Sequence, residues 1–255
     1  MKSTVFVFSP HQDDETLGCG GTIIKKKRAG AQVKIVYMTD GRKSHPDLIS
    51  EEKLKIIRTN EALKACGILG LEENDVIFLE YRDGELTENQ NSAIRKVSRI
   101  IKLHKPKEIF IPHHKEPSLW AKDHVATNRI VMSALQAYDG TPTVYEYPVW
   151  LWYHQPLNFT SMSNAKETLI GLKPSFISKL ILLRDFRYSV YIGDVLQLKH
   201  AALNQYQSQM TRLIPDPRWT TLGDLLNGEF LDCFFQQYEL FSSAYPTVDE
   251  LSSKR

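Results

Sequence analysis

The chain lacks a disulfide framework. Its 255 residues include only three cysteines, Cys19, Cys66 and Cys233, which lie far apart and form no Cys-x-x-Cys pair. An odd, scattered set of this kind is typical of reduced thiols inside the cell. The first residues also lack an apolar segment with a small-residue cleavage site, so we expect no signal peptide and a cytoplasmic location.

A strong charge of either sign is missing as well. The chain has 32 Lys and Arg against 30 Asp and Glu, a formal net charge of +2, whereas nucleic-acid-binding domains usually carry a clustered basic surface. The most apolar late stretch, residues 176–183, is interrupted by Ser178 and Lys179 and is far shorter than the roughly 20 residues of a membrane span. We therefore expect no nucleic-acid partner and no transmembrane segment.

Hydrophobic strand-like segments alternate with helical periodicity through the first half of the chain. The predicted strands are residues 4–9, 32–39, 75–80, 108–112 and 143–149, and the predicted helices are residues 20–28, 51–66, 92–104 and 124–138. This order predicts an α/β fold with a Rossmann-like, mostly parallel sheet and helices on both faces. The carboxyl ends of the strands then share one edge, where such sheets bind ligands.

The second half of the chain is less periodic. Residues 158–173 suggest a loop with one short helix, and residues 194–210 show helical spacing. No linker separates the two halves. We therefore predict a single domain over residues 1–255, with an α/β core in residues 1–150 and a C-terminal cap region in residues 151–255.

A polar motif follows the first predicted strand. It reads His11-Gln12-Asp13-Asp14-Glu15 and runs into a glycine cluster at residues 18–21. His11 and Asp14 are three residues apart on a turn, so an imidazole and a carboxylate can face one cation while Asp13 or Glu15 stays unligated. A catalytic zinc typically has three protein ligands and keeps the fourth position for water. The ordinary alternative is that these carboxylates cap the next helix.

A third metal ligand is expected after another strand. The loop after the fourth predicted strand, with the helix start that follows it, contains three of the eight histidines of the chain, His113, His114 and His124. Because the carboxyl ends of parallel strands meet at one edge, a histidine of this segment can reach His11 and Asp14. The ordinary alternatives are a surface histidine at position 124 and plain loop residues at positions 113 and 114.

These motifs resemble the LmbE/PIG-L family of zinc-dependent N-acetylglucosaminyl deacetylases. The first family motif reads His-Pro-Asp-Asp-Glu, and Gln12 replaces the proline here. Further similar segments follow in family order: Thr39-Asp40-Gly41, Arg58-Thr59-Asn60-Glu61, Tyr81-Arg82-Asp83-Gly84, Lys199 to Leu203, and Tyr206 to Gln209. The resemblance thus extends over about residues 4–210.

The resemblance implies a metal-dependent hydrolase that removes an N-acetyl group from an N-acetylglucosamine-type sugar conjugate. It implies that His11, Asp14 and His124 bind the metal and that Asp13 is the general base. Zn²⁺ is the implied cofactor, and Fe²⁺, Mn²⁺ and Co²⁺ also suit imidazole and carboxylate ligands.

The resemblance and the residue chemistry also suggest four substrate-binding residues. Arg58 and Asp83 would hold the remote part of the substrate, and Trp152 with Tyr153 would form an aromatic wall for a sugar. The ordinary alternatives are a solvated helix charge, a turn aspartate and core packing. The sequence leaves open whether the chain forms a homo-oligomer.

The third-ligand motif departs from the family pattern. Where the family has His-x-Asp-His, this chain has Ala121-Lys122-Asp123-His124. In relatives the missing histidine helps to stabilise the oxyanion or to protonate the amine, and losing one oxyanion donor costs about 10²–10³ in rate. We expect His113 or His114 to compensate. A non-catalytic carbohydrate-binding relative that keeps its metal, and a hydrolase of another amide, stay open as alternatives.

Overall fold

The computed structural model describes residues 3–119, 121–154 and 185–244. The strands are β1 (Thr4–Ser9), β2 (Gln32–Thr39), β3 (Val76–Tyr81), β4 (Glu108–Pro112), β5 (Thr143–Tyr147), β6 (Tyr188–Tyr191) and β7 (Tyr238–Ser243). The helices are α1 (Asp14–Arg28), α2 (Glu51–Ile68), α3 (Gln90–His104), α4 (Lys122–Gln136), α5 (Leu151–His154), α6 (Leu196–Leu203), α7 (Gln207–Met210) and α8 (Glu229–Asp232), with 3₁₀ turns at Glu73–Asp75 and Leu222–Gly228.

The seven strands in the described part of the chain form one sheet in the order β3-β2-β1-β4-β5-β7-β6. The strands β1 to β5 pair in parallel, whereas β7 pairs antiparallel with both β5 and β6. This arrangement confirms the predicted Rossmann-like α/β fold. The order reverses between β1 and β4, and in such sheets a ligand crevice opens beyond the carboxyl ends of the two strands at the reversal.

The two faces of the sheet carry separate hydrophobic cores. Along β1, Val5 and Val7 belong to the core on the side of α1 and α2, whereas Phe6 and Phe8 belong to the core on the side of α3 and α4. Successive side chains of a strand point to opposite faces, so a continuous apolar run is what a strand covered on both sides requires. The buried β1 therefore holds the first polar loop at a fixed position.

Helix α1 begins at Asp14, so the prediction of a start at residue 20 was wrong. A Cβ atom on Gly18 would lie only 2.2 Å from Tyr147 Cδ2, and one on Gly21 would lie 2.4 Å from Ile192 Cγ2. Glycine is a poor helix former, but these positions need it because neighbouring elements approach the helix closely. The polar motif thus spans the turn after β1 and the start of α1, with Asp14 and Glu15 in the first turn of the helix.

The C-terminal part adds β6 and β7 to the sheet, which the sequence analysis did not predict. The helix expected over residues 194–210 is divided into α6 and α7. The predictions for residues 158–173 and 176–183 lie outside the described residues. The single domain with a core in residues 1–150 and a cap region in residues 151–255 stays a prediction. Among the helices that the structure describes, none combines the length and the apolar character needed to cross a bilayer.

Candidate active site and metal centre

The carboxyl edge of the sheet brings together side chains from three loops. His11 and Asp14 follow β1, Asp83 follows β3, and Asp123 and His124 lie in the first turn of α4, after β4. This is the edge where the strand order reverses between β1 and β4. The convergence that the strand order predicts is therefore present, although up to about a hundred residues separate these side chains in the sequence.

Three side chains, which we call the metal cluster, lie close enough together to share a cation: His11, Asp14 and His124. Their donor atoms lie within 4.8 Å of one another. Asp14 Oδ2 is 3.4 Å from His11 Nδ1 and 3.3 Å from His124 Nε2. Two imidazoles and one carboxylate are a common ligand set for catalytic zinc.

The hydrogen bonds of His124 fit a metal ligand. Its side chain is completely buried, and neither ring nitrogen has a hydrogen-bond partner among the described residues. An unpaired buried polar atom is costly, and a cation at Nε2 would remove part of that cost. Burial would raise the pKa of the Asp14 carboxyl, but the adjacent His124 and His11 rings lower it well below its usual range.

Two further carboxylates orient His11 from its other side. Its Nε2 lies 3.2 Å from Asp83 Oδ1 and 3.5 Å from Asp123 Oδ2. Because a carboxylate only accepts, Nε2 carries a hydrogen, and Nδ1, on the side of Asp14, is the nitrogen that would give up its proton to bind a cation. Carboxylate-oriented histidines of this kind are usual at metal sites. Asp123 itself is held by the N–H groups of Gly84 and Leu86, at 2.6 and 3.3 Å.

Asp13 is next to the metal cluster without being part of it. Its Oδ1 lies 3.3 Å from Arg58 Nη2, and both side chains are almost fully buried. Asp13 occupies the N-cap position of α1, but its side chain makes no capping hydrogen bond and its φ of 132° is rare outside glycine. The structure therefore does not support the capping alternative, and strained backbone of this kind is found most often at functional sites.

Burial and charge act in opposite directions on the Asp13 carboxyl. Burial raises its pKa well above the usual value, and the nearby Arg58 guanidinium opposes that rise. The same arginine donates from Nη1 to the Gly41 carbonyl at 3.3 Å and from Nη2 to the Gln12 carbonyl. Arg58 is thus a fixed buried charge at the base of the site rather than a solvated helix residue.

A cavity of about 330 Å³ opens above these groups and includes His11, Asp13 and Asp14 in its lining. Arg58 and Asp83 line it too, as expected for substrate-binding residues, although their contact with substrate stays a prediction. Other lining residues come from the loop after β2, from the turn after β5 and from the C-terminal part of the chain: Lys43, Ser44, His45, Trp150, Gln209 and Thr220 are among them.

The sequence analysis missed His45. Its ring stacks on Trp219, with centroids 4.1 Å apart, while Nε2 donates to the Thr220 carbonyl at 3.1 Å and Nδ1 accepts from Ser44 Oγ at 2.9 Å. His45 lies in the loop after β2, so its position at the carboxyl edge of a strand could have identified it. Its contacts with residues 219 and 220 could not be predicted from local pattern.

His113 and His114 lie outside the residues that line the cavity. His114 Nδ1 donates to Glu146 Oε2 at 2.7 Å, and His113 Nε2 is 3.8 Å from the same oxygen. We call these three residues the Glu146 cluster. Ala121, which replaces the family histidine, lines the cavity. The contacts of the Glu146 cluster give no support to the expectation that His113 or His114 takes over the role of that histidine. That catalytic role stays a prediction.

The Glu146 cluster also differs from a metal site in its geometry. Its two rings stack at 24° with centroids 4.5 Å apart, so their lone pairs do not converge on one point. His113 Nδ1 accepts the Lys115 N–H at 3.1 Å, which leaves the hydrogen of the neutral ring on Nε2. A nitrogen that carries hydrogen is not available to a metal.

The predicted aromatic wall is placed differently from expectation. Trp152 is 4% exposed and packs in the core beside α1, and Tyr153 packs against Trp150 and Phe230. Neither is among the residues that line the cavity next to the metal cluster, whereas Trp150 is. The short helix α5 turns Trp152 towards the core. The substrate role of Trp152 and Tyr153 stays a prediction without support from these contacts.

The fold and the site together define an α/β protein with a candidate histidine–aspartate metal centre at the carboxyl edge of its sheet. The chain belongs to the PIG-L family, since the family model described as GlcNAc-PI de-N-acetylase matches residues 6–135. This confirms the family resemblance of the sequence motifs. The matched part contains every residue of the metal cluster and Asp13.

Individual relatives are similar over most of the chain. A diacetylchitobiose deacetylase from Thermococcus kodakarensis is 26% identical over 218 residues, which cover 84% of this chain and 72% of that protein. The solved N,N'-diacetylchitobiose deacetylase from Pyrococcus horikoshii superposes with a TM-score of 0.69 at 21% identity, over 97% of this chain and 88% of that one.

The same fold also occurs in a protein with a different activity. A 4-carboxy-2-hydroxymuconate hydratase from Pseudomonas putida superposes with a TM-score of 0.66 at 18% identity, over 97% of this chain and 98% of that one. At such identities the two solved structures show the fold alone. The reaction has to be argued from the residues of the site.

Proposed function

We propose that this protein is a metal-dependent hydrolase that removes the acetyl group from an N-acetylglucosamine-type sugar conjugate. One observation carries the proposal: a buried carboxylate, Asp13, lies unligated beside the three donors of the metal cluster at the base of a cavity. Amide hydrolysis needs both a Lewis acid and a separate proton acceptor. The family and the similarity to diacetylchitobiose deacetylase support the choice of an N-acetylated sugar.

His11, Asp14 and His124 would hold the metal, and two imidazoles with one carboxylate favour Zn²⁺ over harder cations. When bound, such a cation supplies Lewis-acid chemistry, which makes water more acidic and polarises an acetamide carbonyl. Asp83 and Asp123 would keep the His11 ring in the tautomer that offers Nδ1.

Asp13 would move the proton in this reaction. Its carboxylate accepts the proton of the water whose oxygen attacks the carbonyl carbon, and it returns that proton to the amine nitrogen as the C–N bond breaks. The products are acetate and the free amino sugar. Arg58 would hold the Asp13 carboxylate in place, since its guanidinium is itself fixed by the carbonyls of Gln12 and Gly41.

The remote part of the substrate would lie against the upper lining of the cavity. Ser44, Gln209 and Thr220 offer hydroxyl, amide and carbonyl groups there, which suit the hydroxyl groups of a sugar. Contact with the rest of the substrate holds the acetamide in position for attack. Arg58 and Asp83 also border this space, and we propose that their main roles are to orient Asp13 and His11.

Acetate release from zinc-loaded protein tests the proposal. We expect turnover of diacetylchitobiose or a related N-acetylglucosamine conjugate, and a fall of about 10²–10⁴ in kcat for Asp13→Asn, the range typical of a lost general base. The metal content of D13N should stay at the wild-type value because Asp13 is not a ligand.

Three other outcomes would contradict the proposal in different ways. Sugar binding without acetate release would favour the non-catalytic carbohydrate-binding relative. Acetate-free hydration of an unsaturated acid would favour the chemistry of the hydratase that shares this fold. Release of another acyl group, with no acetate, would favour a different amide as substrate.

A further inference from the structure

A buried carboxylate near the metal cluster has no role in the mechanism above. Glu116, in the loop between β4 and α4, is only 3% exposed. Its Oε1 accepts the backbone N–H of Val149 at 2.6 Å, and its Oε2 accepts that of Trp150 at 2.9 Å. Glu116 thus joins the loop that leads to His124 to the turn that follows β5.

The two hydrogen bonds determine the position of that turn. Burying a carboxylate is costly unless its oxygens are hydrogen-bonded, and here two consecutive backbone N–H groups satisfy one oxygen each. Burial raises the pKa of the Glu116 carboxyl to about 7, and where the group is ionised these bonds are charge-assisted and stronger than neutral ones. The turn therefore cannot shift without exposing or unpairing a buried carboxyl group.

The turn carries the aromatic residue that lines the cavity. Trp150 borders the same cavity as His11 and Asp13, and its indole stacks on Phe230 with centroids 5.1 Å apart and planes 21° apart. Trp152, two residues later, is part of the core instead. Small changes in the turn would thus decide whether an indole faces the cavity.

We propose that Glu116 is a positioning residue that fixes Trp150 as the aromatic wall of the substrate cavity. Glu116 acts through the N–H groups of Val149 and Trp150, and the sugar ring of the substrate packs against the indole. This inference rests on the proposed function, because it assigns a sugar to the cavity. It goes beyond that function in naming the residue that substrate packs on and the group that holds it.

The substitution Glu116→Gln tests the proposal with a side chain of the same size. The amide offers one acceptor oxygen and an NH₂ group, so one of the two backbone N–H groups loses its partner. We expect KM for diacetylchitobiose to rise about tenfold, the factor that one aromatic contact carries, while kcat changes little. The metal content should not change.

A double-mutant comparison separates positioning from general destabilisation. Trp150→Ala should raise KM by a similar factor, and Glu116→Gln added to it should produce no further rise, because the residue through which Glu116 acts is gone. Effects on KM that multiply in the double variant would overturn the proposal. So would loss of metal from E116Q. If E116Q does not fold, Glu116→Asp takes its place with the same expectations.

Glu239→Gln is the control for loss of a buried carboxylate, although Glu239 also pairs with Lys199 Nζ at 2.8 Å. Glu239 is also buried and accepts two consecutive backbone N–H groups, those of Gly21 and Thr22, at 2.8 Å each. It is not among the residues that line this cavity. Its substitution should lower Tm and leave KM unchanged. If KM rises as much in E239Q as in E116Q, then loss of any buried carboxylate that binds two backbone N–H groups raises KM, and the proposal would fail.

The two proposals can fail separately. If the wild-type protein releases no acetate from any N-acetylated sugar, the proposed function fails. The dissociation constant of diacetylchitobiose, measured by calorimetry on the same four variants, then replaces KM. An E116Q affinity equal to the wild-type affinity would contradict the positioning role on its own.

Discussion

Two clusters with the same kinds of side chain lie at one edge of the sheet, and their hydrogen bonds and ring geometry differ. Each contains two imidazoles and one carboxylate whose donor atoms lie within 4.8 Å: His11, Asp14 and His124 in the metal cluster, and His113, His114 and Glu146 in the Glu146 cluster. The kind and number of ligands therefore do not distinguish a metal site from a hydrogen-bonded group.

The difference lies in what the carboxylate and the rings already bind. Glu146 accepts from Asn128, His114 and Ser242, so hydrogen bonds occupy both of its oxygens. In the metal cluster neither nitrogen of the buried His124 has a hydrogen bond, whereas of the two nitrogens of the buried His113 only Nε2 has none. The rings of His11 and His124 are inclined by 42°, against 24° for the stacked pair of the Glu146 cluster.

The largest expected effect is that of removing a ligand from the metal cluster. His124→Ala should abolish stoichiometric metal binding and reduce kcat/KM at least about 10³-fold, because Lewis-acid catalysis is worth several kcal/mol. Metal analysis after gel filtration and an acetate assay provide the two measurements. Full metal occupancy in H124A would mean that the three donors do not share an ion.

A smaller effect is expected from a residue that only orients a ligand. Asp123→Asn replaces one of the two carboxylates beside His11 Nε2 and should weaken metal affinity about 10–100-fold. Competition with a chelator of known affinity measures this change. Asp75→Asn, in a surface pair with Lys27, is the control and should leave the affinity unchanged. Unchanged affinity in D123N would remove the orienting role.

The smallest effect is expected in the Glu146 cluster. His114→Ala should leave metal content unchanged and activity within about twofold, because His114 does not line the cavity. Its main result should be a fall of about 2–4 °C in Tm, as for a loss of about 1 kcal/mol in a protein of this size. A tenfold loss of activity at unchanged Tm would instead support the expectation that His114 compensates for Ala121.

The sheet and the metal cluster could be predicted from sequence because both follow from local pattern and one geometric rule. Alternating strands and helices predict parallel pairing, and parallel pairing brings the loops after β1 and β4 together. These rules place His11, Asp14 and one histidine of the loop after β4 together, and the family resemblance selects His124 among the three. The predicted start of α1 was wrong because the glycines near its beginning read as a helix break. They are required by the close approach of Tyr147 and Ile192, and such a tertiary contact is not visible in the sequence.

The residues around the metal cluster could not be predicted in the same way. His113 and His114 carry the right chemistry, but their neighbour Glu146 is on β5, and no spacing in the sequence reveals that pair. Whether Trp150 or Trp152 lines the cavity depends on a turn that is bound by Glu116, more than thirty residues earlier in the chain. Such details are decided by packing between distant segments.

Anomalous diffraction at the zinc edge from crystals of the zinc-loaded protein tests the central claim most directly. We predict one strong peak per chain, about 2.0–2.2 Å from His11 Nδ1, an Asp14 oxygen and His124 Nε2, with Asp13 beyond bonding distance. A principal peak between His113, His114 and Glu146, or no peak near His124, would contradict the account.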